Sequence, residues 1–215
     1  MKSDTRHRPT SPQRERGLAR IAAIRDAAAR LFLERGFERV TLDDIAHAAG
    51  GSKSTLYANF RDKPKMFEAA METAIDAFKR DWPFPSIVTK GALNECLEDT
   101  ATQTYSVLAS DQGLALYRLA FTEGVQFPLF RRAWSEIAED KPLTLFASTL
   151  SFHGANMSLA GLFYAIVIAG PIQKALLGRP LSVSEFNNRT SEAACMIAQA
   201  AGHGCQSANV TSETA

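Results

Sequence analysis

Apolar residues recur at every third or fourth position over the first third of the chain, which is the spacing of one helix face. The first such face is formed by Leu18, Ile21, Ile24, Ala28, Leu31 and Phe32. Gly36 follows as the predicted C-cap, because glycine adopts the left-handed conformation that ends many helices. Thr41 is predicted to begin a second, short helix, and Asp44, three residues later, can bond back to the cap.

The same pattern predicts helices over most of the remaining chain. Ser52 is a good N-cap for a third helix that runs to about Asn59, and Asp62 with Pro64 opens a fourth. The apolar face of the fourth helix is Phe67, Ala70, Met71, Ala74, Ile75 and Phe78. After a boundary at Trp82–Pro85, further helices are predicted over 89–110, 112–125, 127–138, 141–152, 154–177 and 184–202. No alternating strand pattern is present, so the predicted fold class is all-α.

The charge of the chain is distributed unevenly. Up to Lys65 there are fourteen Lys/Arg and eight Asp/Glu, a balance of +6, while the remainder has a balance of −5. A basic front suggests contact with a polyanion, although an ordinary solvated basic face gives the same count. Cys96, Cys195 and Cys205 form no CxxC pair, so neither a zinc site nor a disulfide framework is indicated, which favours a reducing, cytoplasmic setting.

The segment Thr41–Phe60, TLDDIAHAAGGSKSTLYANF, contains two short helices that meet at a Gly-Gly turn. Ala46 and Ala49 are small enough for close approach, and Ile45 and Leu56 can fill the space between the helices. This is the layout of a helix-turn-helix, whose second helix lies in the major groove of DNA. The face predicted to be exposed on that second helix carries Lys53, Ser54, Thr55, Tyr57 and Asn59. Such side chains suit contacts with phosphates and base edges.

The predicted organisation therefore has four parts. Residues 1–16 are a disordered basic arm, and residues 17–62 are a three-helix DNA-binding domain with the helix-turn-helix. Residues 63–204 are a second helical domain, to which the effector pocket and dimer surface are assigned below, and residues 205–215 are a disordered tail.

The run from Ile24 to Phe67 resembles the N-terminal domain of TetR/AcrR transcriptional regulators. The matching residues are Ile24, Ala27, Ala28, Leu31, Phe32, Gly36, Thr41, Ile45, Ala46, Ala49, Gly50, Ser52, Thr55, Leu56, Tyr57, Phe60, Lys63 and Phe67. Further along, Arg118–Glu136 resembles the AefR-like subgroup. The resemblance implies a homodimer on a palindromic operator in double-stranded DNA, and release of that DNA when an effector binds.

The resemblance also implies roles for individual residues. Thr41, Tyr57 and Lys63 would contact phosphate, and Ser52, Lys53, Ser54, Thr55 and Asn59 would approach the bases or their flanking phosphates. Two residues depart from the family pattern. Gly51 stands in the turn where an apolar residue is usual, and Asn59 stands where His is frequent. An Asn can pair with adenine through two hydrogen bonds, so the base preference is expected to differ.

The second half of the chain carries the predicted effector pocket and dimer surface. Pocket candidates are the aromatic residues Phe78, Tyr105, Tyr117, Phe121, Phe130, Trp134 and Phe146, and few charges lie among them, so a neutral, apolar effector is expected. The predicted dimer face is formed by Leu159, Leu162, Phe163, Ile166, Val167 and Ile172, with Phe186, Ala193, Met196, Ile197 and Ala200. The alternative for both sets is packing within one protomer. A membrane span is not expected, because the apolar run 157–172 is short and Gly170-Pro171 interrupts it.

Other classes of protein explain the sequence less well. The four histidines lie far apart, and no catalytic, phosphate-binding or metal-binding motif is visible, so no cofactor, metal site or catalytic residue is predicted. A helical enzyme or small-molecule carrier would leave the basic front and the Ser52–Phe60 helix unexplained. A constitutive DNA-binding regulator without an effector stays open. In a gated repressor, the fourth helix would couple the two sites, because it leads from Lys63 to the predicted pocket at Phe78.

Overall fold

A computed structural model of the chain describes residues 12–50, 53–81 and 90–204. Every regular element in these ranges is helical, which confirms the predicted all-α class. The chain divides into two compact units, one up to Ala77 and the other from Phe78 onward.

The first unit contains the four predicted N-terminal helices. They are α1 (Pro12–Arg35), α2 (Leu42–Ala48), α3 (Lys53–Asn59) and α4 (Lys63–Asp81). Gly36 ends α1 as predicted: its φ angle is +79° and its N–H donates to Phe32 O at 2.9 Å. The side chain of Asp62 accepts from the N–H of Lys65 at 2.9 Å at the start of α4, also as predicted.

The start of α1 differs from the prediction. The helix begins at Pro12, inside the segment 1–16 that was expected to be a disordered arm. Residues 13–16 are exposed, so no apolar periodicity marks them as helical. Their composition explains the helix: Pro suits the first helical position, and Gln, Arg and Glu are strong helix formers. Residues 1–11 lie outside the described part.

The core of the first unit is aromatic where α1, the loop after it and α4 meet. Phe32, Phe37 and Phe67 form a triad in which Phe67 is edge-on to both partners, at 5.0 Å and 5.2 Å between ring centroids. Because Phe67 and Met66 are fully buried here, most of α4 groups with the first unit. The boundary at 77/78 therefore lies beyond the predicted one at 62/63. The predicted boundary at Trp82–Pro85 lies outside the described residues.

The second unit is a helical bundle. Its elements are α5 (Leu93–Leu108), α6 (Asp111–Glu123), α7 (Pro128–Ser135), α8 (Lys141–Phe152), α9 (Leu159–Tyr164), α10 (Gly170–Leu176) and α11 (Val183–Ala200). Helix α5 packs against α8 and α11, and α8 packs against α9. Two five-residue π-helical segments, Glu136–Asp140 and Ala165–Ala169, join α7 to α8 and α9 to α10.

The first π segment fills the predicted gap between the helices 127–138 and 141–152, which corrects that prediction, and the second lies inside the predicted helix 154–177. Pro142 and Pro171 each occupy the second position of a helix, where a proline deprives an upstream carbonyl of its N–H partner. The chain continues by bonding five residues back instead: Lys141 N–H donates to Glu136 O, and Gly170 N–H donates to Ala165 O. Each proline therefore distorts a continuous helix rather than ending it.

Side chains satisfy carbonyls that the two prolines leave without a helical partner. Ala138 O, four residues before Pro142, accepts hydrogen bonds from the hydroxyls of Tyr117 at 3.4 Å and Tyr164 at 3.0 Å. Ile166 O, five residues before Pro171, accepts from Arg189 Nε at 2.8 Å. The first of these networks lies beside the cavity described below.

Cys96 is a free, buried thiol, whereas Cys195 is disulfide-bonded; an odd count and wide spacing in the sequence did not exclude a single bond. The helical run Leu159–Leu176 has a mean hydropathy of 1.6, and by length and composition alone it could cross a membrane. Only 33% of that run is buried within the protomer. Core helices of soluble proteins can have the same length and apolar composition, so these two properties are weak support for a membrane span.

Candidate nucleic-acid interface and effector cavity

The first turn of α2 is held by a capping box between Thr41 and Asp44. The hydroxyl of Thr41 accepts from Asp44 N–H at 3.1 Å and donates to Asp44 Oδ2 at 2.6 Å, and Thr41 N–H donates to the same oxygen at 2.9 Å. The predicted cap is thus confirmed. These hydrogen bonds lower the pKa of Asp44, with the side-chain bond from Thr41 as the main cause. A phosphate at Thr41 would have to compete with Asp44 for the hydroxyl proton.

Helix α3 buries one side and exposes the other, as the helix-turn-helix requires. Leu56 is fully buried, whereas Tyr57 is 54% exposed. Lys53, Ser54 and Asn59 are also exposed and Thr55 is half-buried, so the predicted row of polar side chains is accessible. Ser52, the remaining predicted contact on this helix, lies outside the described residues.

The side chains of Lys53 and Asn59 have partners within the unit. Lys53 Nζ lies 2.7 Å from Asp43 Oδ2 on α2, and this hydrogen bond raises the pKa of Lys53. The side-chain amide of Asn59 donates to Thr55 O at 2.8 Å. Because an amide NH₂ has two protons, Asn59 retains one donor and its carbonyl oxygen for a base edge.

Lys63 has a structural role that the sequence did not predict. Its ammonium donates to Glu38 O at 3.1 Å and lies 4.3 Å from the centroid of the Phe37 ring. It therefore ties the start of α4 to the loop after α1. An ammonium has three donors, so the predicted phosphate contact stays compatible with this position.

A cavity of about 240 Å³ lies in the second unit. It is lined by Tyr117, Phe121, Glu139, Tyr164, Ala169, Ile172, Gln173 and Leu176, which come from α6, α9, α10 and both π segments. Burial raises the pKa of the Tyr164 hydroxyl to about 12, and Glu139 contributes in the same direction. Burial also raises the pKa of Tyr117. Both phenols are therefore protonated at neutral pH and can donate to Ala138 O.

The predicted effector residues separate into two groups. Tyr117 and Phe121 line the cavity, and Trp134 packs edge-on against Tyr117 at 5.1 Å and against Phe78 at 5.2 Å. The other candidates do not line this cavity. Tyr105 stacks on Phe186 at 4.1 Å, Phe146 packs against Phe163 at 4.9 Å, and Phe130 is buried.

Most of the predicted dimer face points into the protomer. Phe163, Val167, Phe186 and Ile197 are all buried, and Phe163 and Phe186 have aromatic partners inside the unit. These four residues therefore belong to the protomer core, which corrects their assignment. The face that α9–α10 and α11 expose holds Leu162 and Met196, both 55% exposed. Leu159 and Ile166 are half-buried between the two faces.

Five residues that line the cavity are in no set of candidates predicted from the sequence: Glu139, Tyr164, Ala169, Gln173 and Leu176. The sequence feature that could have indicated them is the pair of prolines inside helical patterns. Each proline frees a backbone carbonyl, and a nearby side-chain donor must satisfy it. The lining also includes a carboxylate, whereas the sequence predicted an uncharged pocket.

The geometry of the first unit is that of a helix-turn-helix protein, and comparison with known families agrees. The family model described as "Bacterial regulatory proteins, tetR family" matches residues 24–70. The chain is 41% identical over 59 residues to the HTH-type transcriptional repressor ComR of Escherichia coli, covering 27% of this chain and 28% of that protein. It is 33% identical over 101 residues to the repressor KstR2 of Rhodococcus jostii, covering 46% of this chain and 48% of that protein.

Solved structures extend the similarity to nearly the whole chain. A TetR-family regulator from Mesorhizobium loti superposes with a TM-score of 0.69 at 22% identity, covering 86% of this chain and 98% of that one. The protein named Flavonoid-responsive Regulator FrrA superposes with a TM-score of 0.64 at 26% identity, covering 89% of this chain and 99% of that one.

Together these findings define a helical fold with an N-terminal helix-turn-helix, and the matched curated proteins are transcriptional repressors, not enzymes. Residues 24–70 match the TetR family model, and the chain shares the fold of solved TetR-family structures. Its matches to the curated relatives span less than half of their lengths. The resemblance of Arg118–Glu136 to the AefR-like subgroup stays a prediction.

Proposed function

We propose that this chain is a cytoplasmic, sequence-specific DNA-binding repressor that acts as a homodimer on a palindromic operator. The observation that best supports this proposal is that α3 buries Leu56 fully and exposes the polar side chains around Tyr57. This helix lies within the segment that matches the TetR family. The basic excess up to Lys65 supports contact with phosphate. Repression rather than activation is proposed because the curated relatives are named repressors.

Selection of binding sites from random DNA tests the roles of Tyr57 and Asn59. Asn59→Ala should alter the preferred base at one position of each half-site, because a lost base contact is worth about 1–3 kcal/mol of discrimination. Tyr57→Ala should weaken binding to all sites by a similar factor and keep the consensus, because a phosphate contact carries no sequence information.

Tyr57→Phe is the matched control, since it removes only the hydroxyl. It should reproduce most of the loss if the hydroxyl donates to phosphate. If Asn59→Ala selects the same consensus with the same position weights, the base-reading role is wrong. If none of these variants changes DNA binding, α3 is not the recognition helix.

The dimer is proposed to form through the exposed face of α9–α10 and α11. The run Leu159–Leu176 is strongly apolar, yet only 33% of it is buried within the protomer. Leu162 and Met196 extend this unburied apolar surface onto both elements. Two helical elements from each protomer would give a four-helix interface, a common arrangement in helical dimers.

Release of DNA by an effector is proposed to pass through α4. A chain of edge-on aromatic contacts leads from the cavity residue Tyr117 to Trp134 and then to Phe78 in the last turn of α4. The 19-residue α4 is about 28 Å long and begins at Lys63 beside the DNA-binding helices. A ligand that displaces Tyr117 would therefore shift a rigid helix that reaches into the DNA-binding unit.

A second candidate is a constitutive regulator that has the same DNA contacts but no effector. The cavity favours the gated version, and one structural relative is named flavonoid-responsive. DNA affinity that no cavity ligand changes would favour the constitutive version.

A further inference from the structure

We propose that the cavity beside Tyr117 and Tyr164 binds a small aromatic organic cation, such as a protonated arylalkylamine. The regulatory consequence of this binding rests on the proposed effector function, but the binding itself does not. The inference replaces the neutral, apolar effector that the sequence predicts.

The electrostatics of the lining favour a cation. Among the residues that the structure describes, Glu139 is the only charged side chain that lines the cavity, and no Lys, Arg or His lines it. Among the described residues Glu139 forms no ion pair, unlike Glu136 in the same π segment, whose carboxylate lies 3.5 Å from Arg132 Nε. A ligand ammonium would supply the missing partner, whereas a ligand carboxylate would face an unpaired like charge.

The polar groups near Glu139 are oriented as acceptors. Tyr164 donates its hydroxyl proton to Ala138 O, and the Tyr117 hydroxyl lies 3.4 Å from the same oxygen and also forms a hydrogen bond with the Tyr164 hydroxyl. Each phenol oxygen has two lone pairs, so at least one lone pair stays available to a ligand donor. The side chain of Gln173 adds an amide that can accept as well. An ammonium has donors and no acceptor, which matches this arrangement.

The aromatic surface of the cavity favours a ligand ring. Phe121 is 74% exposed, and its ring lies nearly parallel to the Tyr117 ring, with 6.4 Å between centroids. An exposed ring face attracts both a stacked aromatic ring and a cation. The cavity volume of about 240 Å³ is below the range of about 300–1,000 Å³ that is usual for drug-sized ligands, so one or two rings should fit.

The local backbone explains why these groups converge. Glu139 belongs to the π segment before Pro142, and Ala169 belongs to the π segment before Pro171. Such single-turn π segments are frequent at functional sites. The same distortion that presents Glu139 also frees Ala138 O to hold the two tyrosines.

Isothermal titration calorimetry at pH 7 with three probes of one shape tests the proposal. The probes are 1-naphthylmethylammonium, 1-naphthylmethanol and 1-naphthoate. The cation should bind about fivefold more tightly than the alcohol, the effect of one partly exposed ion pair, and at least about tenfold more tightly than the naphthoate.

Three variants give the test its controls. Glu139→Gln should lower cation affinity to the level of the alcohol and leave alcohol affinity within about twofold. Glu136→Gln makes the same charge change outside the cavity and should alter neither. Phe121→Ala, at an exposed position, should weaken all three probes by a similar factor. Circular dichroism checks that each variant is folded.

Each contrary result overturns the proposal. It fails if the naphthoate binds as tightly as the cation, if Glu139→Gln and Glu136→Gln have equal effects, or if the wild-type chain binds none of the probes at millimolar concentration.

A separate arm tests the proposed gating. The cation is titrated with and without a DNA site selected by the protein, and the two binding events must weaken one another by the same factor if they are coupled. Cation binding with equal affinity in both titrations would leave the cavity assignment intact and reject effector-gated release.

Discussion

Replacing Phe67 with alanine is expected to destabilise the DNA-binding unit by about 3–5 kcal/mol, the cost of emptying a fully buried phenylalanine site. Phe67 is 0% exposed and is edge-on to both Phe32 and Phe37. The loss is a large part of the about 5–15 kcal/mol that usually separates folded from unfolded proteins. DNA binding should therefore fall with the folded fraction. Urea denaturation followed by circular dichroism measures the change.

Phe121→Ala is the matched control, since it deletes the same atoms at a position that is 74% exposed. It should change the free energy of unfolding by no more than about 0.5 kcal/mol and leave DNA binding intact. Equal costs for the two variants would contradict the packing of α4 against α1 described above.

Introducing a glutamate at Leu162 is expected to give a folded monomer with greatly weakened operator binding. Leu162 is 55% exposed on the proposed dimer face, so in a two-fold interface the new carboxylates would be buried close to their symmetry mates. A monomer binds only one half-site of the operator. It therefore loses the gain in affinity that comes from linking two DNA-binding units, which is about 10²–10⁴-fold. Sedimentation velocity measures the oligomeric state, and fluorescence anisotropy measures the affinity.

The neighbouring substitution Phe163→Glu should behave differently. Phe163 is fully buried and packs against Phe146, so an unpaired charge there should unfold the second unit rather than yield a monomer. Met196→Glu, at the exposed position on α11, should match Leu162→Glu. A well-folded dimer in both Leu162→Glu and Met196→Glu would reject the proposed interface.

The DNA-binding unit could be predicted from sequence because its signals are local. The cap at Thr41, the C-cap at Gly36 and the core position of Leu56 each follow from a few neighbouring residues, and the structure agrees with all three. The partners of Lys53 and Lys63 could not be predicted. Asp43 and Glu38 lie ten and twenty-five residues from them, and only the folded chain brings those atoms together.

The second unit was harder to predict because its helices are apolar on more than one side. Periodicity identified Phe163 and Val167 as apolar but could not distinguish a core face from an interface. The π-helical segments before Pro142 and Pro171 could not be predicted, because they depend on side chains from other helices that satisfy the freed carbonyls. Tyr117 and Phe121 were predicted to line a pocket, but the position of Glu139 in the same cavity follows from that distortion and was not predicted.

The most direct test of the proposed function is the affinity of the purified wild-type chain for DNA as a function of salt. Fluorescence anisotropy would compare the site enriched from random DNA with a scrambled duplex of equal length. We expect tighter binding to the enriched site by about 10³-fold or more, two chains per site, and a steep linear fall of log affinity with log salt. Equal affinity for the two duplexes, or no binding even at low salt, would contradict the assignment of this chain as a sequence-specific DNA-binding regulator.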